Sequence, residues 1–263
     1  MDTEQTDAYL RRIGIERPAG PTTRALRDLH LAHLRSVPFE NLSIHLGEDI
    51  ELTDKALVAK VVDARRGGFC YELNGAFAAL LRALGFDVAL LQARVYDDTG
   101  EPGIPYDHLA LRVRTEDGGD WLADIGFGAH SHLPLAFADR GEQADPGGTF
   151  RIAEAAEGDL QVLKDGKPQY LVDRRPRALA DFKVGAWYHR TSPDSHFTRS
   201  LVCSRITGSG GRITLGGRTL TTTVDGERRT AELTTEAEVL AAYDRHFGIV
   251  LEREPQLRPS ERT

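Results

Sequence analysis

The chain has 263 residues, of which 40% are hydrophobic and 28% charged, and its formal net charge is −7 at pH 7. This acidic balance offers no electrostatic footprint for nucleic acid, and no apolar run approaches the roughly 20 residues that span a bilayer. The acidic, polar first five residues do not have the pattern of a signal peptide. Two cysteines far apart in the sequence do not form a disulfide framework, so we expect a cytoplasmic protein with free thiols.

Residues 1–85 are predicted to form a helical bundle. Apolar residues recur three and four positions apart near residues 9–13, 26–37 and 57–62, which is the spacing of a buried helix face. Pro38 ends the second of these helices, and Thr53 can cap the third. A fourth helix starts at Cys70, stops at Gly85 and carries an apolar face made of Leu73, Phe77, Leu80, Leu81 and Leu84.

The remaining chain favours β-structure first and a mixed region afterwards. Residues 86–180 predict a small antiparallel barrel, with strands at 86–96, 108–114 and 121–125 and a hairpin turn at 117–119. Residues 181–203 are predicted as an interdomain connector, and a strand predicted over 197–206 runs across its end. Residues 204–263 predict an α/β lid with strands at 212–215 and 219–224 and a helix at 236–247. The expected fold class is therefore α+β and multi-domain: helical bundle, antiparallel β-barrel and α/β lid.

Cys70 is the candidate nucleophile. It follows the pair Gly67-Gly68 and lies in the first turn of its helix, where unpaired N–H groups and the helix dipole favour a thiolate. Arg65 and Arg66, just upstream, add positive potential. A buried structural cysteine, behaving as a small hydrophobe, is the alternative.

A cysteine nucleophile needs a base and a group that orients the base. Among nine histidines, His108 is the best candidate because it opens a strand after a loop that contains glycine and proline. Its neighbour Asp107 points to the opposite face of an extended chain. Asp124 lies on the next strand, where an unpaired carboxylate would be costly to bury, although a turn or capping role is the alternative and the register is open. Cys70, His108 and Asp124 would form a cysteine-protease-like Cys-His-Asp core.

Five segments in chain order resemble the arylamine N-acetyltransferase family. They are Pro-Phe-Glu-Asn-Leu at 38–42, Arg-Gly-Gly-Phe-Cys-Tyr-Glu-Leu-Asn at 66–74, His-Leu-Ala-Leu at 108–111, Trp-Leu-Ala-Asp-Ile-Gly-Phe-Gly at 121–128 and Ser-Pro-Asp-Ser-His-Phe-Thr at 192–198. The last 60 residues match only in general character. The family fold that this resemblance implies is a helical bundle followed by a β-barrel and an α/β lid.

The resemblance also implies a ping-pong acetyl transfer. Acetyl-CoA, as a co-substrate, would acylate Cys70, and an arylamine, arylhydrazine or N-arylhydroxylamine would then take the acetyl group. His108 would manage the protons of both halves. No metal and no bound prosthetic group is expected. The expected partners are the small-molecule substrates, and the sequence leaves a homo-oligomer open.

Further site residues follow from the resemblance. Glu40 and Arg66 would form a supporting ion pair, for which a solvated surface pair is the alternative. Gly126 and Gly128 would let CoA approach the backbone, unless they only form a turn. The acceptor and pantetheine pocket, for which core packing is the alternative, would be lined by Phe39, Val95, Phe127 and Phe197.

Three other functions remain open from the sequence. An amide synthase of the same fold would close a macrolactam from a carrier-bound polyketide, and a cysteine hydrolase would use water as the acceptor. The third, a non-catalytic binding module, is disfavoured by the intact Cys-His-Asp set.

Overall fold

The computed structural model describes residues 1–208 and 210–257. Three of its N-terminal helices begin at a side-chain cap, because Asp2, Thr22 and Thr53 each accept an N–H from the first helical turn. In the helix that begins at Cys70, every residue up to Leu81 is buried, so this helix is the centre of the N-terminal helical region. The N-terminal elements are α1 (Thr3–Ile13), α2 (Thr23–Ser36), β1 (Phe39–Glu40), α3 (Leu42–Leu46), α4 (Asp54–Val62) and α5 (Cys70–Ala83).

Eight antiparallel strands follow and form a nearly closed barrel. Their order in the sheet is β5-β4-β3-β2-β9-β8-β7-β6. Successive side chains of a strand point to opposite faces, so β3 contributes to two cores: Leu109 and Leu111 pack with the helices, whereas Ala110 faces the barrel interior. The strands are β2 (Asp87–Val95), β3 (His108–Arg114), β4 (Asp120–Ala123), β5 (Leu135–Ala136), β6 (Glu142–Asp145), β7 (Gly148–Glu154), β8 (Leu160–Lys164) and β9 (Lys167–Arg177).

The hairpin of β3 and β4 determines where the polar residues of this region lie. Leu111 pairs with Ala123 across the hairpin, and the turn has Gly118 at φ 85°, a conformation that glycine adopts without strain. His108 is the first residue of β3, and Asp124 comes directly after the last residue of β4. Both residues therefore lie at the same end of the β3–β4 hairpin, opposite its turn.

The connector contains two helices, α6 (Lys183–Thr191) and α7 (His196–Arg199). The predicted strand over 197–206 is wrong in its first part, because Phe197 lies in α7 and strand β10 (Val202–Ile206) begins five residues later. The reason is local: Ser195 accepts the N–H of Phe197 at 3.2 Å and caps a helical turn.

A second antiparallel sheet forms most of the C-terminal region, with the order β1-β10-β11-β12-β13. Its further strands are β11 (Arg212–Gly216), β12 (Thr219–Val224) and β13 (Glu227–Glu232), and helix α8 (Glu236–Phe247) packs on it. Phe39 and Glu40 of β1 pair with Ser204 and Cys203 of β10, so this short N-terminal strand joins the C-terminal sheet. The boundaries 1–85, 86–180, 181–203 and 204–263 stay a prediction, and residues 258–263 lie outside the described residues. None of the described helices is long and apolar enough to cross a membrane.

Candidate active site

Cys70 is the first residue of α5 and is only 3% exposed. The turn before it requires glycine, because a Cβ on Gly67 would lie 1.9 Å from the carbonyl oxygen of Pro38. Glu72 accepts the N–H of Phe69, the residue that precedes the helix, at 3.3 Å. These contacts determine how the chain enters α5, and they place Cys70 at the positive end of the helix dipole.

His108 and Asp124 form a buried pair at the open end of the β3–β4 hairpin. The distance between His108 Nε2 and Asp124 Oδ2 is 2.7 Å, and the two residues are 3% and 2% exposed. A carboxylate only accepts, so Nε2 carries the proton and Nδ1 remains for the Cys70 thiol. The structure thus brings together the three residues that the sequence predicted as nucleophile, base and orienting acid.

The electrostatics of this pair favour charge separation. Burial lowers the pKa of His108, but attraction to Asp124, their hydrogen bond and contact with Cys70 outweigh burial and raise the pKa to about 10. For Asp124, burial raises the pKa, whereas His108 and the amide of Asn74 outweigh burial and hold it well below the usual range of a carboxyl. An imidazolium facing a carboxylate is therefore the stable form at neutral pH.

Asn74 connects α5 to both strands, and the sequence analysis did not identify it. Its Nδ2 donates to Asp124 Oδ1 at 2.9 Å and to the carbonyl oxygen of Leu109 at 2.6 Å. Its Oδ1 accepts the N–H of Ile125 at 3.1 Å. Because Asn74 is four residues after Cys70, the two lie on the same face of the helix, and that spacing was a usable signal.

His30 is a second residue that sequence reasoning missed. Its Nε2 accepts the backbone N–H of Asp124 at 3.2 Å, and its Nδ1 donates to the carbonyl oxygen of His132 at 2.9 Å. The ring is fully buried, and burial lowers its pKa to about 4. A neutral ring with one donor and one acceptor therefore holds the backbone on which Asp124 lies.

Aromatic rings cover the barrel side of His108. Phe127 meets the imidazole edge-on, with 5.3 Å between the ring centroids, and Tyr170 lies at the same centroid distance. Gly126 is required beside Cys70, because a Cβ there would lie 2.8 Å from the Cys70 Cα. The catalytic cluster is thus shielded from water on its interior faces.

Glu40 and Arg66 form a buried pair rather than a solvated one. Arg66 Nε and Nη2 donate to the two carboxylate oxygens of Glu40 at 3.0 and 3.3 Å, and Glu40 is 0% exposed. Burial raises the pKa of Glu40, but the charges of Arg66 and Lys60 outweigh burial and lower it. Glu48, which the sequence analysis did not single out, accepts from Arg66 Nη1 at 3.0 Å. This network supports the turn that precedes Cys70.

A cavity of about 600 Å³ opens in front of Cys70 and His108. It is the size of a pocket for a drug-sized ligand. Six predicted site residues besides His108 line it: Phe39, Cys70, Val95, Gly126, Phe127 and Phe197. Gly128 is not among the residues of its wall; its φ is 90°, and its carbonyl oxygen accepts from Arg212 at 2.9 Å. The wall also contains polar residues that the sequence analysis did not select, among them Asp107, His189 and Ser195.

Comparison with known proteins places this site in a class. A family model described as N-acetyltransferase matches residues 22–256, so the chain belongs to the class of N-acetyltransferases. An arylamine N-acetyltransferase of Mycolicibacterium smegmatis is 35% identical over 252 residues, covering 92% of this chain and 91% of the relative. An arylamine N-acetyltransferase / N-hydroxyarylamine O-acetyltransferase of Salmonella typhimurium is 36% identical over 214 residues, covering 79% and 75%.

Solved structures agree with these relatives. The M. smegmatis arylamine N-acetyltransferase superposes with a TM-score of 0.88 at 34% identity, covering 99% of this chain and 98% of that one. The Mycobacterium marinum enzyme in complex with CoA superposes with a TM-score of 0.83 at 32% identity, covering 93% and 92%. The chain belongs to the arylamine N-acetyltransferase family and is an acyltransferase with that activity.

Proposed function

We propose that the chain transfers an acetyl group from acetyl-CoA through a Cys70 thioester to an aromatic amine. The observation that carries this proposal is the His108–Asp124 pair at 2.7 Å. It leaves His108 Nδ1 for the Cys70 thiol on the wall of the cavity. The complex of the M. marinum relative with CoA supports CoA chemistry in the same fold.

At the start of the first half-reaction His108 already holds the proton of Cys70, and the thiolate attacks the thioester carbonyl of acetyl-CoA. The tetrahedral intermediate collapses, the CoA thiolate leaves with the proton from His108, and acetyl-Cys70 remains. The backbone N–H of Cys70, in a helical turn whose N–H groups lack intrahelical partners, is our candidate donor to the developing oxyanion. Asp124 keeps His108 in the required tautomer throughout.

In the second half-reaction, the amine nitrogen attacks acetyl-Cys70 and passes its proton to His108. Cys70 then leaves as a thiolate beside the imidazolium. The ring-lined walls at Phe39, Phe127 and Phe197 provide flat apolar surfaces for an aromatic acceptor. The name of the S. typhimurium relative, which covers arylamines and N-hydroxyarylamines, supports both as acceptors. We propose arylhydrazines as a third class of acceptor.

The supporting roles follow from the same geometry. Glu40 and Arg66 hold the turn before Cys70, and Gly126 gives the backbone room beside it. Val95 lines the cavity, and Gly128, outside its wall, stays a CoA-binding prediction. Both cysteines are free, which supports the cytoplasm, where reactive thiols persist.

The test is direct acetylation of the enzyme. The protein is incubated with acetyl-CoA and no amine, its intact mass is taken, and the modified peptide is mapped. One acetyl group on Cys70, discharged when an arylamine is added, is the expected result. An enzyme that stays unmodified while iodoacetamide still alkylates Cys70 would contradict the proposal and favour the amide synthase. Release of acetate without any amine, at the rate seen with amine, would indicate a hydrolase.

A further inference from the structure

A second acid–histidine–hydroxyl set lies on the wall of the same cavity. Ser195 Oγ is 3.1 Å from His189 Nδ1, and His189 Nε2 is 2.8 Å from Asp107 Oδ1. The order of groups is that of a Ser-His-Asp hydrolytic triad. The histidine uses Nε2 for the acid and leaves Nδ1 for the nucleophile, as His108 does with Asp124 and Cys70.

The tautomer of His189 follows from its surroundings. Its Nε2 faces two acceptors of Asp107, the carboxylate oxygen and the backbone carbonyl oxygen at 3.2 Å, so Nε2 carries the proton. In the neutral ring, Nδ1 is then an acceptor, and the Ser195 hydroxyl donates to it. This is the polarity that a base needs to take a proton from a serine.

The acid of this set is held in place. Asp107 Oδ2 accepts the N–H of Val95 at 3.0 Å, and the Tyr71 hydroxyl shares its proton between the carbonyl oxygens of Tyr106 and Asp107, at 2.7 and 2.9 Å. Ser195 is 2% exposed, close to the 3% of Cys70, and both line the cavity. Low average exposure is therefore no argument against Ser195 as a nucleophile in this cavity.

Capping of α7 explains only part of the arrangement. Ser195 Oγ accepts the N–H of Phe197 at 3.2 Å, and this bond uses one lone pair of the oxygen. The hydroxyl proton and the second lone pair remain. A cap needs neither a base behind the serine nor a carboxylate behind that base, so the His189–Asp107 pair calls for another role.

We propose that Ser195, His189 and Asp107 form a second acyl-accepting site, which hydrolyses small activated acetate esters. His189 Nδ1 takes the Ser195 proton as Oγ attacks the ester carbonyl. The alkoxide or phenoxide leaves with that proton, and acetyl-Ser195 remains. Water then attacks the serine ester with His189 again as base, which releases acetate and restores the hydroxyl.

The experiment removes Cys70, the proposed nucleophile of the acetyl transfer, first. The variant Cys70→Ala is given p-nitrophenyl acetate, and p-nitrophenolate release is followed at neutral pH. It is compared with Cys70→Ala/Ser195→Ala and with the matched control Cys70→Ala/Ser200→Ala, whose serine donates to the His196 carbonyl oxygen near the end of α7. We expect the Ser195 change to reduce turnover about 100-fold, the low end of what a positioned base supplies, and the control to retain it.

A second measurement does not depend on how Ser195→Ala folds. Cys70→Ala is treated with a serine-directed fluorophosphonate, and the labelled peptide is mapped. Label on Ser195 that is lost in Cys70→Ala/His189→Gln supports the proposal. Label only on other residues, or equal ester turnover in Cys70→Ala and Cys70→Ala/Ser195→Ala, overturns it. Because the test is made without Cys70, its outcome is independent of whether acetyl-CoA acylates Cys70 in the wild-type enzyme.

Discussion

His108, the first residue of β3, and Asp107, which directly precedes the strand, belong to two different clusters. His108 turns toward Asp124 and Cys70, whereas Asp107 turns toward His189 and Ser195. The difference lies in the scaffold. The first cluster is built from α5, β3 and the end of β4 and is held by Asn74 and His30 from behind; the second joins β3 to the connector helices. A rigid, multiply bonded cluster suits a main nucleophile, and the connector cluster suits a secondary one.

The largest expected effect compares the two histidines directly. His108→Gln should reduce acetylation of Cys70 about 10⁴-fold, as loss of a triad member does, because the thiol loses its base. His189→Gln should reduce the same rate by about tenfold or less, because His189 lines the cavity but contacts Ser195 and Asp107 rather than the Cys70 thiol. Single-turnover mass spectrometry with acetyl-CoA measures both rates. Equal losses in the two variants would contradict the division of labour between the clusters.

Asn74→Leu should show how strongly the first cluster depends on its scaffold. The change leaves Leu109 and Ile125 backbone groups unpaired and removes one donor to Asp124. We expect a loss of about 3 kcal/mol in the free energy of unfolding, since unsatisfied buried groups cost roughly 1–3 kcal/mol each. Urea denaturation measures it, and Ser192→Ala on the connector is the control, with an expected loss below about 1 kcal/mol. Similar midpoints for the two variants would show that Asn74 is not a scaffold residue.

The pH dependence of stability separates the clusters further. The pKa of His108 is raised to about 10 in the folded state, above the roughly 6.5 of an unfolded histidine. Its contribution is therefore fully present below about pH 6.5 and is lost as the pH rises toward 10. The stability difference between wild type and His108→Gln should shrink by at most about 1.4 kcal/mol per pH unit in that window. Denaturation midpoints at several pH values measure it; a constant difference would refute the raised pKa.

The smallest expected effect concerns the ring behind Asp124. His30→Leu removes the acceptor for the Asp124 N–H and should lower kcat about fivefold, the value of one hydrogen bond, with KM for the arylamine nearly unchanged. His30→Gln offers an amide acceptor and donor and should recover most of the loss. If both variants behave alike, or if only KM changes, His30 does not position Asp124.

Local pattern explains why much of this protein was predictable. The three- and four-residue spacing in α5 and the glycine pair before it were enough to place Cys70 at a helix N-terminus. The loop with glycine and proline before β3 favoured His108, and the cost of burying an unpaired carboxylate favoured Asp124, while the register between the two strands stayed open. Each of these signals lies within a dozen or so neighbouring residues.

Other features depend on contacts between distant parts of the chain. His30 reaches Asp124 across 94 positions, and β1 pairs with β10, and neither contact leaves a local pattern. Strand β13 is exposed along its whole length, so it lacks the alternation that identifies a half-buried strand.

The sequence alone predicted the helical and barrel segments, selected Cys70, His108 and Asp124 as candidate nucleophile, base and acid, and carried the family resemblance. It could not assign Asp107, because the partner of a side chain on the far face of a strand is whatever packs there. Only the folded chain brings His189 and Ser195 to that face and makes a second cluster beside the first. Packing between elements far apart in sequence is a property of the whole fold, and single segments do not encode it.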